Sequence, residues 1–184
     1  MRTATLSTVL AWMALSAALP SGSLWASEPD GELKAAVVLS FLRYGEWQQP
    51  SAANSPLTVG VLGRASVVEV LRRTLEGKSA NNRAIRVVEL KTGAEAQSCQ
   101  AVYFATDNVS EIRAVLQGPP PLRALTIGET KDFLDAGGAV QLMVIDGHMG
   151  FEANLEALDR ASVSISSKLL RFGPVRNRTK GDRK

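Results

Sequence analysis

At 184 residues, with 45% hydrophobic and 21% charged side chains, the chain has the composition of one globular domain with a full-sized core, which excludes the disordered and fibrous classes. Its formal charge of +3 is unevenly placed: residues 171–184 hold six basic residues (Arg171, Arg176, Arg178, Lys180, Arg183, Lys184) against Asp182, whereas residues 27–170 hold 14 basic against 17 acidic. With Cys99 as the only cysteine and His148 as the only histidine, no intramolecular disulfide forms and the ligands of an ordinary zinc quartet are lacking.

Arg2, the apolar run Val9–Leu19, the breakers Pro20 and Gly22, and then Leu24-Trp25-Ala26 follow the layout of a secretory signal over residues 1–26. The run is too short to span a bilayer comfortably, and no later stretch approaches the ~20 apolar residues of a membrane helix. The expected body, residues 27–172, is therefore exported and not membrane-spanning once the signal is cleaved; an uncleaved N-terminal anchor is the alternative. Residues 173–184 read as a basic, solvated tail. Contact with anionic lipid is the other reading of that charge, and export argues against nucleic acid.

Leu33–Trp47 predicts a helix apolar nearly all round, with Lys34 and Arg43 as the charged interruptions; either one face covers the core while the other meets a partner or a second copy, or the helix is completely buried in the monomer. Gln48–Pro56 reads as a loop, Leu57–Leu62 as a buried strand, Gly63 as a turn, and Ser66–Leu75 as a helix with Val67, Val70 and Leu71 inward. Strands follow at Ile85–Leu90, Ala101–Ala105 and Arg123–Ile127, with helices at Ser110–Gln117 and Glu129–Ala136. Ala139–Ile145 and Met149–Glu152 predict a hairpin across Asp146-Gly147 on a sheet edge. Asn154 suits the N-cap of a helix to Arg160, and Ser162 or Ser164 that of a last helix through Leu170. Alternating strands and helices give an α/β fold: a single domain whose mostly parallel or mixed sheet is flanked by helices.

Reactive chemistry is sparse. Gly60-Val61-Leu62-Gly63 resembles a fragment of a phosphate loop, which makes Gly63, Arg64 and Ser66 a candidate anion-binding turn; a plain strand-to-helix turn explains it as well. Asp146 and His148 are hairpin neighbours rather than parts of a triad, and no Gly-x-Ser-x-Gly elbow is present. The sequence nominates no catalytic residue, no metal ligand and no cofactor, and reads as a non-enzyme. The better candidates are contact residues: Glu152, Asn154, Ser166, Ser167 and Arg171 as polar groups, Phe151 and Leu169 as apolar anchors, and Tyr44 with Trp47 at the end of the first helix. Capping by Asn154, backbone bonding by the serines and core packing by Phe151, Tyr44 and Trp47 are the competing structural readings.

Several stretches, in order, carry a resemblance. They are LKAAVVLSFLRYGEW (Leu33–Trp47), LTVGVLGRASVVEVL (Leu57–Leu71), Gly77-Lys78, Asn82-Arg83-Ala84-Ile85, Cys99 ahead of Val102-Tyr103-Phe104, FEANL (Phe151–Leu155) and SISSKLLRF (Ser164–Phe172). The last two are similar to the "FEINL" and "ISSRLLRL" patterns of the YfiR family of small periplasmic regulators, and the whole resembles that family from Leu33 to Phe172. The resemblance implies a repressor that binds the periplasmic portion of an inner-membrane diguanylate cyclase, limiting cyclic-di-GMP and biofilm formation, and it implies a homodimer. Better-known members carry paired cysteines, and this chain departs from them at Cys99. A periplasmic small-ligand sensor or solute-binding protein using the Gly63–Ser66 turn is the alternative function.

Overall fold

A computed structural model describes residues 29–48 and 55–176; the expected signal segment and residues 177–184 lie outside them. The described residues begin with α1 (Pro29–Tyr44), whose Asp30 and Glu32 in the first turn and Arg43 in the last complement the helix dipole. Five strands form a parallel centre: β2 (Leu57–Gly63), β4 (Arg83–Leu90), β5 (Ala101–Ala105), β6 (Leu125–Gly128) and β7 (Val140–Ile145). With β3 (Ser79–Ala80), β8 (His148–Asn154) and β10 (Val175–Arg176) they make one mixed eight-stranded sheet of order β10-β8-β7-β6-β5-β2-β4-β3. The fold is α/β, as the alternation of elements predicts.

Both faces of the sheet are covered, which is why β5 reads as an unbroken apolar run, AVYFA, with all five residues buried. On one face, Ala35, Val38, Phe41 and Leu42 of α1 join Val68, Leu71 and Leu75 of α2 (Ala65–Leu75) and Ala157 and Leu158 of α4 (Leu155–Ala161). On the other, Ile112 of α3 (Val109–Gln117) and Ala96 of a 3-10 turn (Gly93–Ser98) pack with Cys99, Phe104 and Phe133. Of the inward set expected in α2, Leu71 is buried, while Val67 and Val70 are half-buried and Val68 takes a buried place instead.

Local chemistry sets the helix ends. The Asn108 side chain accepts from the Glu111 amide at 3.2 Å, and that of Asn154 from the Ala157 amide at 3.3 Å; such caps contribute about 1 kcal/mol each. Asn154 is thus the cap expected of it. Ser162 is not: it ends α4 in a left-handed conformation (φ +55°). The last helix is correspondingly shorter than expected. Val163–Ile165 form β9, and a single turn, α5 (Ser167–Leu170), is capped by Ser166 through the Lys168 amide at 3.3 Å.

Two further expectations give way to tertiary pairing. The first helix stops at Tyr44, and Gly45–Trp47 become β1, antiparallel to β9 with Glu46 opposite Ser164. Glu129–Ala136 forms turns rather than a helix. There Phe133 is fully buried in a notch between Gly128 and Gly138, where a Cβ would lie 2.5 and 2.2 Å from its ring, and Gly137 (φ +107°) turns the chain into β7. The predicted hairpin pairs Ile145 with His148, but its outer strand is not the sheet edge: Val175 and Arg176 continue alongside Ala153 and Asn154, so the fold runs past the expected boundary at 172.

Candidate functional site

The parallel strands bring their carboxyl ends to one edge, and β2 and β5 lie where the chain departs to opposite sides, the position at which open α/β sheets bind ligands. Arg64 follows β2, Thr106 and Asp107 follow β5, and Glu129 and Thr130 follow β6. Gly63 (φ +118°) lets the backbone close on β5, its Cβ position 2.4 Å from the Ala105 carbonyl oxygen, and the Arg64 amide donates to that oxygen at 3.1 Å. Gly63, Arg64 and Ser66 are therefore exposed at this edge, at an α2 N-terminus without a side-chain cap. Arg64 spans 3.3 Å to Asp107, an exposed pair that contributes little to stability.

Beneath this turn lies a polar cluster that sequence reasoning missed. The buried Tyr103 phenol donates to Glu129, and the Lys34 ammonium of α1 meets the other Glu129 oxygen at 2.7 Å. Burial first, then the Glu129 charge and their hydrogen bond, push the phenol far above its usual value near 10; Arg64 pulls the other way. Tyr103 is thus a permanent donor at neutral pH, and Glu129 is the anion that ties α1 to the sheet edge. Two faint signals mark the cluster in the sequence: the single hydroxyl within AVYFA and the single charge facing inward from an apolar helix. Among the described residues every buried side-chain nitrogen or oxygen has a hydrogen-bond partner, so the cluster is a closed clamp rather than an open set of ligands.

The second region gathers the contact candidates at the other end of α1. The Ser166 amide donates to the Tyr44 carbonyl at 3.0 Å, which sets α5 beside the helix end; Tyr44, Ser167 and Arg171 are exposed there and Ser166 is half-buried. Leu169 points into the core instead. The Trp47 indole donates to the Gln100 carbonyl at 2.9 Å and is half-buried, so it fastens β1 to the sheet. Phe151 is 4% exposed and meets Phe41 edge-on with centroids 4.8 Å apart. Its neighbour Glu152 is half-buried and accepts from Arg176 at 3.0 Å, and Arg176 also bonds Asp135. Hydrogen bonds to Glu152 and Asp135 hold that guanidinium protonated more firmly than usual. The structure thus groups Tyr44, Ser166, Ser167 and Arg171 on one surface, while Phe151, Asn154, Trp47 and Leu169 act in packing or capping.

Among the described residues no group of three or more His, Cys, Asp or Glu side chains is placed to hold a metal ion, and no helix is long and apolar enough to cross a membrane. Cys99 is 4% exposed, and burial raises its thiol pKa. No thiolate nucleophile is on offer.

Solved structures share the fold, two among them as follows. One, a conserved domain protein from Vibrio cholerae O1 biovar El Tor, is 12% identical with a TM-score of 0.53, over 79% of this chain and 59% of its own. The other, an ABC domain in complex with L-Trp from Streptococcus pneumoniae, is 14% identical with a TM-score of 0.51, over 76% of this chain and 59% of its own. The chain thus spans less than two thirds of the length of either. No curated protein matches it. A family model described as YfiR/HmsC-like matches residues 31–173, from the first turn of α1 to the approach of β10. On that match the chain belongs to the YfiR/HmsC-like family.

Proposed function

We propose that the protein is an exported regulator that acts by surface contact, binding the periplasmic portion of an inner-membrane diguanylate cyclase in its inactive arrangement and so limiting cyclic-di-GMP and biofilm formation. The observation that carries this reading is membership, over residues 31–173, in a family that is regulatory rather than catalytic. The physical scheme requires only differential affinity. A hundredfold preference for the inactive arrangement corresponds to about 2.7 kcal/mol, within reach of a few hydrogen bonds and one apolar contact. The surface of Tyr44, Ser166, Ser167 and Arg171 supports the reading because it offers both kinds of contact. The protein acts as a homodimer in this scheme, supported by Leu33, 48% exposed on the outer side of α1. A lone buried cysteine leaves its control independent of an internal disulfide.

Deleting the gene and measuring cyclic-di-GMP, together with co-purification from solubilised inner membrane, tests the proposal. Raised nucleotide and a captured cyclase are expected. Unchanged nucleotide with no cyclase on the column refutes it.

A second reading rests on the position of Arg64 and Ser66 at the carboxyl edge: a small-ligand sensor whose anionic ligand sits on the α2 N-terminus. Thermal shift separates the two, because a ligand that binds the folded state raises the melting point with concentration. Inorganic phosphate and L-Trp, the ligand of the Streptococcus protein, are the first probes. No shift with either removes this reading.

A further inference from the structure

We propose that the outer edge of β4, from Val87 to Lys91, is a strand-addition site for an extended acidic segment of another protein, with the Glu76 carboxylate as the latch that closes it. β4 runs eight residues and pairs with β2 along Ile85–Leu90, but on its other side β3 covers only Arg83 and Ala84. The Ile85 amide still reaches the Lys78 carbonyl at 2.9 Å, and that bond fixes the alternation beyond it. Ile85, Val87, Glu89 and Lys91 turn their backbone groups outward, while Arg86, Val88 and Leu90 turn theirs to β2. Two of the outward amides are met by side chains: Glu76, just past α2, accepts from Val87 at 3.3 Å, and Glu95 of the 3-10 turn accepts from Lys91 at 2.9 Å. Each carboxylate oxygen sits where the carbonyl of a neighbouring strand would sit. Between them the Val87 carbonyl and both backbone groups of the exposed Glu89 have no partner among the described residues.

An unpaired edge of this kind is a template for a further strand, whose main chain supplies affinity and whose side chains supply selectivity. The Glu76 bond is a weak block. It is long, the side chain is 42% exposed, and Arg72, 4.0 Å from the same oxygen, also pairs with Glu69, so rotation of one surface side chain frees the Val87 amide. Charge identifies the occupant. Lys78 and Arg86 flank the start of the bare stretch, both exposed, and neither the ammonium nor the guanidinium has a partner among the described residues. The acid of the stretch, Glu89, is already paired with Lys91. The charge left unanswered along the edge is therefore positive, and acidic side chains on an incoming strand answer it. A second copy fits less well. Laying β4 against itself across a two-fold either drives the copy into the place that Lys78 fills opposite Ile85 or sets Glu89 directly against its own copy.

The test titrates the purified protein into a fluorescein-labelled, end-capped peptide of about eight alternating glutamate and valine residues, followed by anisotropy. Saturable binding with a Kd below about 1 mM is expected, and a peptide of alternating lysine and valine should not bind. Glu89→Pro removes the central outward amide without touching the bonds that Val88 and Leu90 make to β2, so it should weaken binding at least about tenfold. Glu89→Gln keeps the amide and should not weaken it. Glu76→Ala opens the latch and should tighten binding about two- to fivefold, and Arg86→Gln should weaken it by about the same factor. Hydrogen exchange on the wild type needs no variant: saturating peptide should slow the Glu89 amide at least about tenfold, while the Val88 amide is protected throughout. Melting curves show which variants are folded, and if Glu89→Pro is not, the exchange of Glu89 decides. No binding, equal binding of the lysine peptide, full binding by a folded Glu89→Pro variant, weaker binding by Glu76→Ala, or an unprotected Glu89 amide overturns the proposal. So does a wild-type dimer that Glu89→Pro disperses, which gives the edge to a second copy. No cyclase is present, so each result is independent of the regulatory reading.

Discussion

Replacing Phe151 by Ala separates a core role from a contact role at the residue that opens the FEANL stretch. Phe151 is 4% exposed, stands edge-on to Phe41 at 4.8 Å, and lies under Gly173, where a Cβ would come within 2.7 Å of its ring. Truncating a buried Phe removes about 3–5 kcal/mol, of which about 0.5–1.5 belongs to the aromatic pair. Because Gly173 and the short β10 can settle partly into the space, the lower half of that range, about 3–4 kcal/mol, is expected. For a domain of this size each kcal/mol moves Tm by about 2–4 °C, so Tm should fall by about 10 °C. Thermal melts and urea titrations measure the loss, and partner capture is scored well below the lowered Tm, where the variant is folded and should still bind. A Tm within about 2 °C of wild type combined with abolished capture would refute the packing argument and make Phe151 a contact anchor.

Tyr103→Phe removes the donor from Glu129 and should lower stability by about 1–2 kcal/mol in urea titrations, toward the low end for a bond to a charged group because Glu129 is 20% exposed and water can reach it. The same substitution changes the alkaline limb. The folded phenol titrates above the unfolded one, so its contribution is complete below pH 10 and declines as pH rises further, by up to about 1.4 kcal/mol per pH unit. Stability of wild type should therefore fall more steeply above pH 10 than that of Tyr103→Phe, and parallel curves would contradict the assignment. Gly63→Ala should cost about 2 kcal/mol or more, since φ is +118° and the new Cβ would press to 2.4 Å from the Ala105 oxygen; a neutral effect in denaturation would show the turn to be less constrained than described. Cys99 should resist thiol reagents in the native protein and react fully once unfolded, and rapid native labelling would contradict its burial.

The parts of the fold legible in the sequence are those whose signal is local. Asn154 announces its helix through a capping side chain, Asp146-Gly147 announces the hairpin, and AVYFA announces a strand covered on both faces. Where the structure departs from the local pattern, a distant partner overrules it. GEW continues the helical spacing of α1 but pairs with Val163–Ile165 far along the chain, Gly45 opposite Ile165 and Glu46 opposite Ser164. Glu129–Ala136 has the composition of a short helix, yet Phe133 is drawn into the notch of Gly128 and Gly138 on the sheet, and the chain turns around it. The site followed the same division. Arg64 and Ser66 were visible because a strand-glycine-helix junction is contiguous, while Tyr103, Glu129 and Lys34 are separated by 26 and 95 residues and bear no shared motif.

By itself, then, the sequence determined the alternation of strands and helices, the caps and turns, the apolar faces and the concentration of positive charge beyond Leu170, because propensity, periodicity and charge act over a few neighbouring residues. Only the tertiary structure decided the strand order, the pairing of β1 with β9 and of β10 with β8, the clamp of Tyr103 on Glu129, and which members of FEANL and SISSKLLRF face water. Those outcomes depend on contacts between segments far apart in the chain. Each is settled by the burial and hydrogen bonding that the whole arrangement allows, which no short window of residues contains.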